Sequence, residues 1–109
     1  MSIYDLNWSS DEKKVARKAF DNAYQREMDN IKSSLMDKVS QIKTNADIWV
    51  IDDFLSEKRK IVDSKYDYRY SQLIMVFSRL LSEGYLKEED ISELAEEKRE
   101  VIKKLSNKK

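Results

Sequence analysis

The chain has 109 residues in which 21 Lys plus Arg balance 21 Asp plus Glu, so the net charge is zero and no long-range field draws it to a nucleic-acid backbone. It contains no histidine and no cysteine, which removes the usual general base at neutral pH, the thiol nucleophile, disulfides and thiolate metal sites together. Zero prolines, one glycine, 39% charged and 40% hydrophobic residues describe an all-α domain with much solvated surface.

The N-terminal Met1-Ser2-Ile3-Tyr4-Asp5-Leu6 lacks a basic region followed by an apolar stretch. No later run approaches the ~20 apolar residues that cross a bilayer. A soluble, cytoplasmic protein without membrane insertion is expected. Ser9-Ser10-Asp11-Glu12 fits a capping box, and beyond it Val15, Ala19, Ala23, Met28, Ile31, Leu35, Val39 and Ile42 recur at helical spacing. Phe20, Tyr24 and Met36 widen that stripe, which predicts one amphipathic helix over 10–43. In Thr44-Asn45-Ala46-Asp47 a Thr or Asn can cap a second helix from near 46, with Asp47 favouring its positive end.

That helix carries Ile48, Trp49, Ile51, Phe54, Leu55, Ile61 and Val62. Tyr66, Tyr68 and Tyr70 then alternate with Asp67 and Arg69, a period of two. One isolated strand has no partner here, so helix is expected through this stretch as well. Leu73-Ile74-Met75-Val76-Phe77 with Leu80 and Leu81 is apolar nearly all round and predicts the buried centre of the fold, stopped at Gly84. Acidic residues within Lys87-Glu88-Glu89-Asp90 open a last helix whose stripe is Ile91, Leu94, Ala95, Lys98, Val101, Ile102 and Leu105. The basic end, Lys103 to Lys109, suits a helix C-terminus and interleaves nothing for base stacking, so no nucleic-acid partner is expected.

A helix of ~34 residues is a rod of about 50 Å, whereas a compact 100-residue domain has a radius of gyration of only about 13 Å. The first helix therefore overhangs any core that the chain builds alone. A two-fold homodimer is the economical way to cover its stripe.

Asp52-Asp53 is the one suggestive carboxylate pair, but neighbours on a helix point about 100° apart and do not share a metal or a proton. Asp53 and Glu57 would chelate only weakly, and a single glycine makes no phosphate-binding loop. No enzyme activity, metal or cofactor is expected. Trp49, Asp52, Asp53, Phe54, Leu55 and Arg59 are instead the best candidates for a protein-recognition surface, since these types dominate interface hot spots. Spacing alone leaves Trp49 open as core or as partner contact.

Trp49-Val50-Ile51-Asp52-Asp53-Phe54-Leu55-Ser56 followed by Lys58-Arg59 resembles a segment of the cyanobacterial fluorescence recovery protein family. Ala23-Tyr24-Gln25-Arg26-Glu27, Lys65-Tyr66-Asp67-Tyr68-Arg69-Tyr70-Ser71, and Val76-Phe77 through Leu80-Leu81-Ser82-Glu83-Gly84 resemble it too, in the right order. Together the matching pieces span roughly residues 8–105.

The resemblance implies a homodimer with an extended stalk, about 8–63, and a smaller helical head, about 64–109. It implies a partner, the orange carotenoid protein, held mainly through its C-terminal domain, or a similar carotenoid protein. The activity implied is non-enzymatic: return of the active red form to the orange form is hastened, so quenching of the phycobilisome antenna at the thylakoid ends. Carried over by position, the family's working residues fall on Trp49, Asp53, Arg59 and Leu105. The roles expected are an apolar anchor for Trp49, an orienting polar pair for Asp53 and Arg59, and a head contact for Leu105. Two positions depart from the family pattern: Asp52 stands where a histidine is typical, and Val101 where a basic residue is. The extra charge at Asp52 repels an acidic partner surface and attracts a basic one. A divergent relative, the same dimer serving as adaptor or scaffold for a different protein, is the alternative.

Overall fold

The structure, a computed structural model, describes residues 6–107. Most of the N-terminal stretch searched for a leader and the last two lysines of the basic end lie outside the described residues. The elements in chain order are α1 (Ser10–Ser40), α2 (Ala46–Lys65), α3 (Leu73–Glu83), a 3-10 turn (Glu88–Ile91) and α4 (Glu96–Ser106), so the described fold is all-helical.

The capping box forms as expected: the Glu12 amide donates to Ser9 Oγ at 3.1 Å and the Ser9 amide to Glu12 Oε1 at 3.2 Å. α1 stops at Ser40, short of the expected residue 43, because Asp47 competes for the chain that would continue it. Its carboxylate accepts from the Lys43 and Thr44 amides at 2.8 and 3.0 Å, and these bonds hold it below the ordinary carboxylate range. The Asn45 side chain makes no capping bond, so the start of α2 is fixed by Asp47 reaching back rather than by the Thr or Asn expected.

The tyrosine stretch is not helical. α2 ends at Lys65, residues 66–69 carry no helix, and α3 begins at Leu73. The period of two is real, but its partner is a helix rather than a strand. Tyr66 and Tyr68 meet the Phe20 ring on α1 edge-on at 5.4 and 4.8 Å. Tyr24 extends that row to Tyr66 at 5.2 Å, and Tyr70 extends it to Trp8 at 6.0 Å. Lys13 and Arg17 lie over the Tyr70 and Tyr68 rings. Burial pushes the Tyr68 hydroxyl up to about 12.

α3 is the buried centre, as expected: Leu73, Phe77 and Leu80 are wholly inaccessible, although Met75 turns outward. Gly84 closes it at φ 86°, a left-handed conformation that glycine adopts cheaply. The last helix starts later than the acidic run predicts. Asp90 is drawn away to accept from the Lys87 amide at 2.9 Å and from Arg26 Nη1 on α1 at 2.6 Å, which leaves Glu88–Ile91 as a single tight turn. α4 is then capped from outside: the Ala95 amide donates to Glu12 Oε2 at 2.9 Å and Lys98 Nζ to Glu12 Oε1 at 3.1 Å. One carboxylate thus serves the starts of two helices that lie far apart in the chain.

The core gathers Ala16, Ala19, Phe20 and Ala23 of α1 with α3, Leu86, Ile91, Leu94 and Ile102. It sits at one end of the molecule and forms the head. Beyond Ile31, α1 contributes no buried residue, and in α2 only Lys65 is buried. The rest of α1 with α2 makes the stalk, which explains extents of 55 × 25 × 22 Å. The radius of gyration is 16.7 Å, against about 13 Å for a compact chain of this length.

Candidate protein-recognition site

α2 has one close neighbour, α1, so most of its circumference faces solvent. Trp49 is 67% exposed in the single chain, which removes the core alternative for it. Asp52 and Asp53 lie one turn further along, three and four positions on, and both are exposed. Phe54 is half-buried against α1, with Lys38 Nζ 4.8 Å and Lys58 Nζ 5.8 Å from its ring centroid.

Arg59 is exposed too, but its carboxylate partner is Asp63 at 3.8 Å, not Asp53. Asp53 and Arg59 are therefore not bonded to each other within the chain. Six positions at about 100° each carry Arg59 roughly a third of a turn round the helix from Asp53. The Arg59–Asp63 pair is solvated on both sides, so it contributes little to stability and leaves both groups available to a partner. Leu105 does not join this cluster. It lies half-buried on α4 against the head core, as does Val101, while Asp52 stands on the stalk.

Sequence reasoning did not single out the groove between the stalk helices. Tyr24, Met28 and Ile31 of α1 face Leu55 and Val62 of α2 across about 290 Å³, with Arg59 and Asp63 on its rim. The available signal was the width of the α1 stripe, which exceeds what one neighbouring helix covers. Around the stalk tip Met36, Val39, Ile48 and Val50 add exposed apolar surface, with Met36 at 72%. Contiguous exposed apolar surface of this kind is characteristic of protein interfaces. No described helix is long and apolar enough to cross a membrane, and among the described residues no acidic groups cluster closely enough to hold a metal ion.

Comparison with known proteins agrees with this architecture. Residues 8–106 match the family model described as photoprotection regulator fluorescence recovery protein. The fluorescence recovery protein of Synechocystis sp. (strain ATCC 27184 / PCC 6803 / Kazusa) is 42% identical over 99 residues, 91% of each chain. The solved structure of the Fremyella diplosiphon fluorescence recovery protein superposes with a TM-score of 0.88 at 39% identity, covering 94% of this chain and 100% of that one. That of the Synechocystis protein superposes at 0.86 with 42% identity, over 92% and 98% of the two chains. With an all-helical stalk and head, identity of this order and nearly complete coverage, the chain belongs to the fluorescence recovery protein family of photoprotection regulators.

Proposed function

We propose that the chain binds the C-terminal domain of the orange carotenoid protein, or of a similar carotenoid protein, and hastens its return from the active red to the inactive orange form. Quenching of the phycobilisome antenna in the cytoplasm then ends. The observation that carries this reading is the exposure of Trp49 beside Asp52 and Asp53 on a stalk whose surroundings are already apolar, in a chain of this family. The work is done by binding: a surface that fits one conformation of the partner better than the other shifts its population toward that conformation. Trp49 supplies the apolar anchor, Asp53 and Arg59 orient the partner from adjoining faces, and Leu105 contributes from the head. The unit is a homodimer through the stalk, because Met36, Val39 and Ile48 find no cover within one chain. The boundary between head and stalk crosses α1 near Ile31, so residues 8–31 belong with the head rather than with the stalk expected over 8–63.

The test is the dark recovery rate of photoactivated orange carotenoid protein with and without this chain. Acceleration is expected, and Trp49→Ala or Arg59→Ala should remove most of it while leaving the helical signal intact. Asp52 favours the second reading, a divergent relative serving another protein, because it adds an exposed negative charge at the proposed contact. A folded dimer that leaves recovery unchanged would select that reading.

A further inference from the structure

Lys65 is the one buried residue of α2, and an ammonium is costly to bury unless it is paired and hydrogen-bonded. Its Nζ donates to Glu27 Oε2 on α1 at 2.7 Å and to Glu83 Oε1 at the end of α3 at 2.7 Å. The other oxygens are filled as well. The Tyr66 hydroxyl donates to Glu27 Oε1 at 2.7 Å, and Arg79 Nε to Glu83 Oε2 at 3.0 Å. Side-chain exposure is 2% for Lys65, 6% for Glu27 and 33% for Glu83. Both legs of the stalk and the head helix therefore meet at a single ammonium.

Net stability does not explain such an arrangement, because replacing a buried ion pair by apolar groups of similar volume is often neutral or stabilising. Direction explains it better. Apolar contact is non-directional and tolerates a range of crossing angles, whereas carboxylates whose oxygens are all engaged hold their partners at one distance and one angle. No other buried side chain ties α2 down.

We infer that Lys65, Glu27 and Glu83 are positioning residues that fix the angle at which α2 lies against α1 and the head, and with it the placement of Trp49 relative to Leu105. The geometric part stands on the contacts alone. Its consequence for the partner rests on the proposed function.

Because the chain has no cysteine, Glu57→Cys on α2 and Lys104→Cys on the head, both exposed, take nitroxide labels cleanly. Dilution with unlabelled chain restricts double electron–electron resonance to distances within one chain. The parent protein should give one narrow distance. Glu27→Leu with Lys65→Met removes a matched pair and leaves Glu83 to Arg79; at unchanged helicity its distribution should broaden or split. Glu27→Gln keeps an acceptor for Tyr66 and leaves Lys65 on Glu83, so an intermediate width is expected, and this variant decides alone if the double variant does not fold. Parent-like width in the folded variants overturns the inference. If the oriented form falls to about a tenth of the population, apparent partner affinity falls about tenfold. Unchanged recovery kinetics despite broadened distances overturn the link to the partner. A parent chain without effect on recovery defeats the proposed function and leaves the distance result to judge the cluster.

Discussion

Head and stalk use similar apolar residue types and expose them very differently. In the head, Leu73, Phe77, Leu80, Ile91 and Ile102 have no accessible surface, while on the stalk Met36, Val39, Ile48, Trp49 and Val50 are exposed. Neighbour number makes the difference. α3 is enclosed by α1, α4 and the 85–94 segment, so a helix that is apolar nearly all round is satisfied. The stalk hairpin gives each helix one neighbour, so a stripe wider than one contact stays uncovered. A region closed on itself is thus distinguishable from a region with apolar surface left over by how much of that surface one chain can cover.

Core truncation should separate the two regions most sharply. Phe77→Ala is expected to destabilise the chain by about 3–5 kcal/mol, the usual cost of emptying a buried aromatic site, read as the loss in thermal or urea unfolding. A similar loss from Trp49→Ala in a dilute single chain would break the contrast between head and stalk.

Acid should act next, and on the head. Burial opposes ionisation of Glu12, Asp90 and Glu83, yet their hydrogen bonds outweigh it: to the Ala95 and Ser9 amides and Lys98 for Glu12, to Arg26 and the Lys87 amide for Asp90, to Lys65 and Arg79 for Glu83. Each carboxyl is held below its ordinary value of 4.5 for Glu or 3.8 for Asp. A depressed folded value means that the stabilisation is complete above the ordinary value and is lost as pH falls through the folded one. Unfolding followed from pH 7 downward should therefore hold steady until about that range and then fall, by about 1.5–3 kcal/mol per bonded carboxylate. Retained stability there would show that these caps contribute little. The opposite sign applies to Tyr68, whose neutral form is favoured: its contribution persists below 10 and is lost toward about 12.

The smallest change in stability should come from the stalk. Met36→Lys with Val39→Lys alters exposed positions, so the unfolding of an isolated chain should move by no more than about 0.5 kcal/mol. The same pair should shift the solution mass from dimer to single chain. A dimer that survives it places the homodimer contact elsewhere.

Much of this was legible in the residues. The Ser9–Glu12 box, the Gly84 stop and the enclosed α3 follow from local chemistry, and the overhang followed from helix length against domain size. What escaped depended on groups far apart in the chain. Tyr66, Tyr68 and Tyr70 alternate because they lie along α1, and periodicity shows the alternation without its partner. Asp90 and Glu12 look like ordinary first-turn acids until Arg26 and the Ala95 amide are placed beside them. In the candidate site the residue types of Trp49, Asp53 and Arg59 were readable, but Arg59 pairs with Asp63, four positions on, where helix neighbours meet, rather than with Asp53, six positions away. Lys65 resembled any surface lysine, because its burial is created by Glu27, 38 positions away.

The bond between Glu12 and the Ala95 amide joins residues 83 positions apart, so the head is assembled from both flanks of the stalk, and the stalk is an insertion within it. Its length is then an independent variable. Removing matched whole turns from α1 after Ile31 and from the facing part of α2 would bring the tip closer to the head while every core contact remained. Reach, the span over which one molecule can touch two separated places on a partner, is set by the inserted hairpin alone and can be tuned without altering the part that folds.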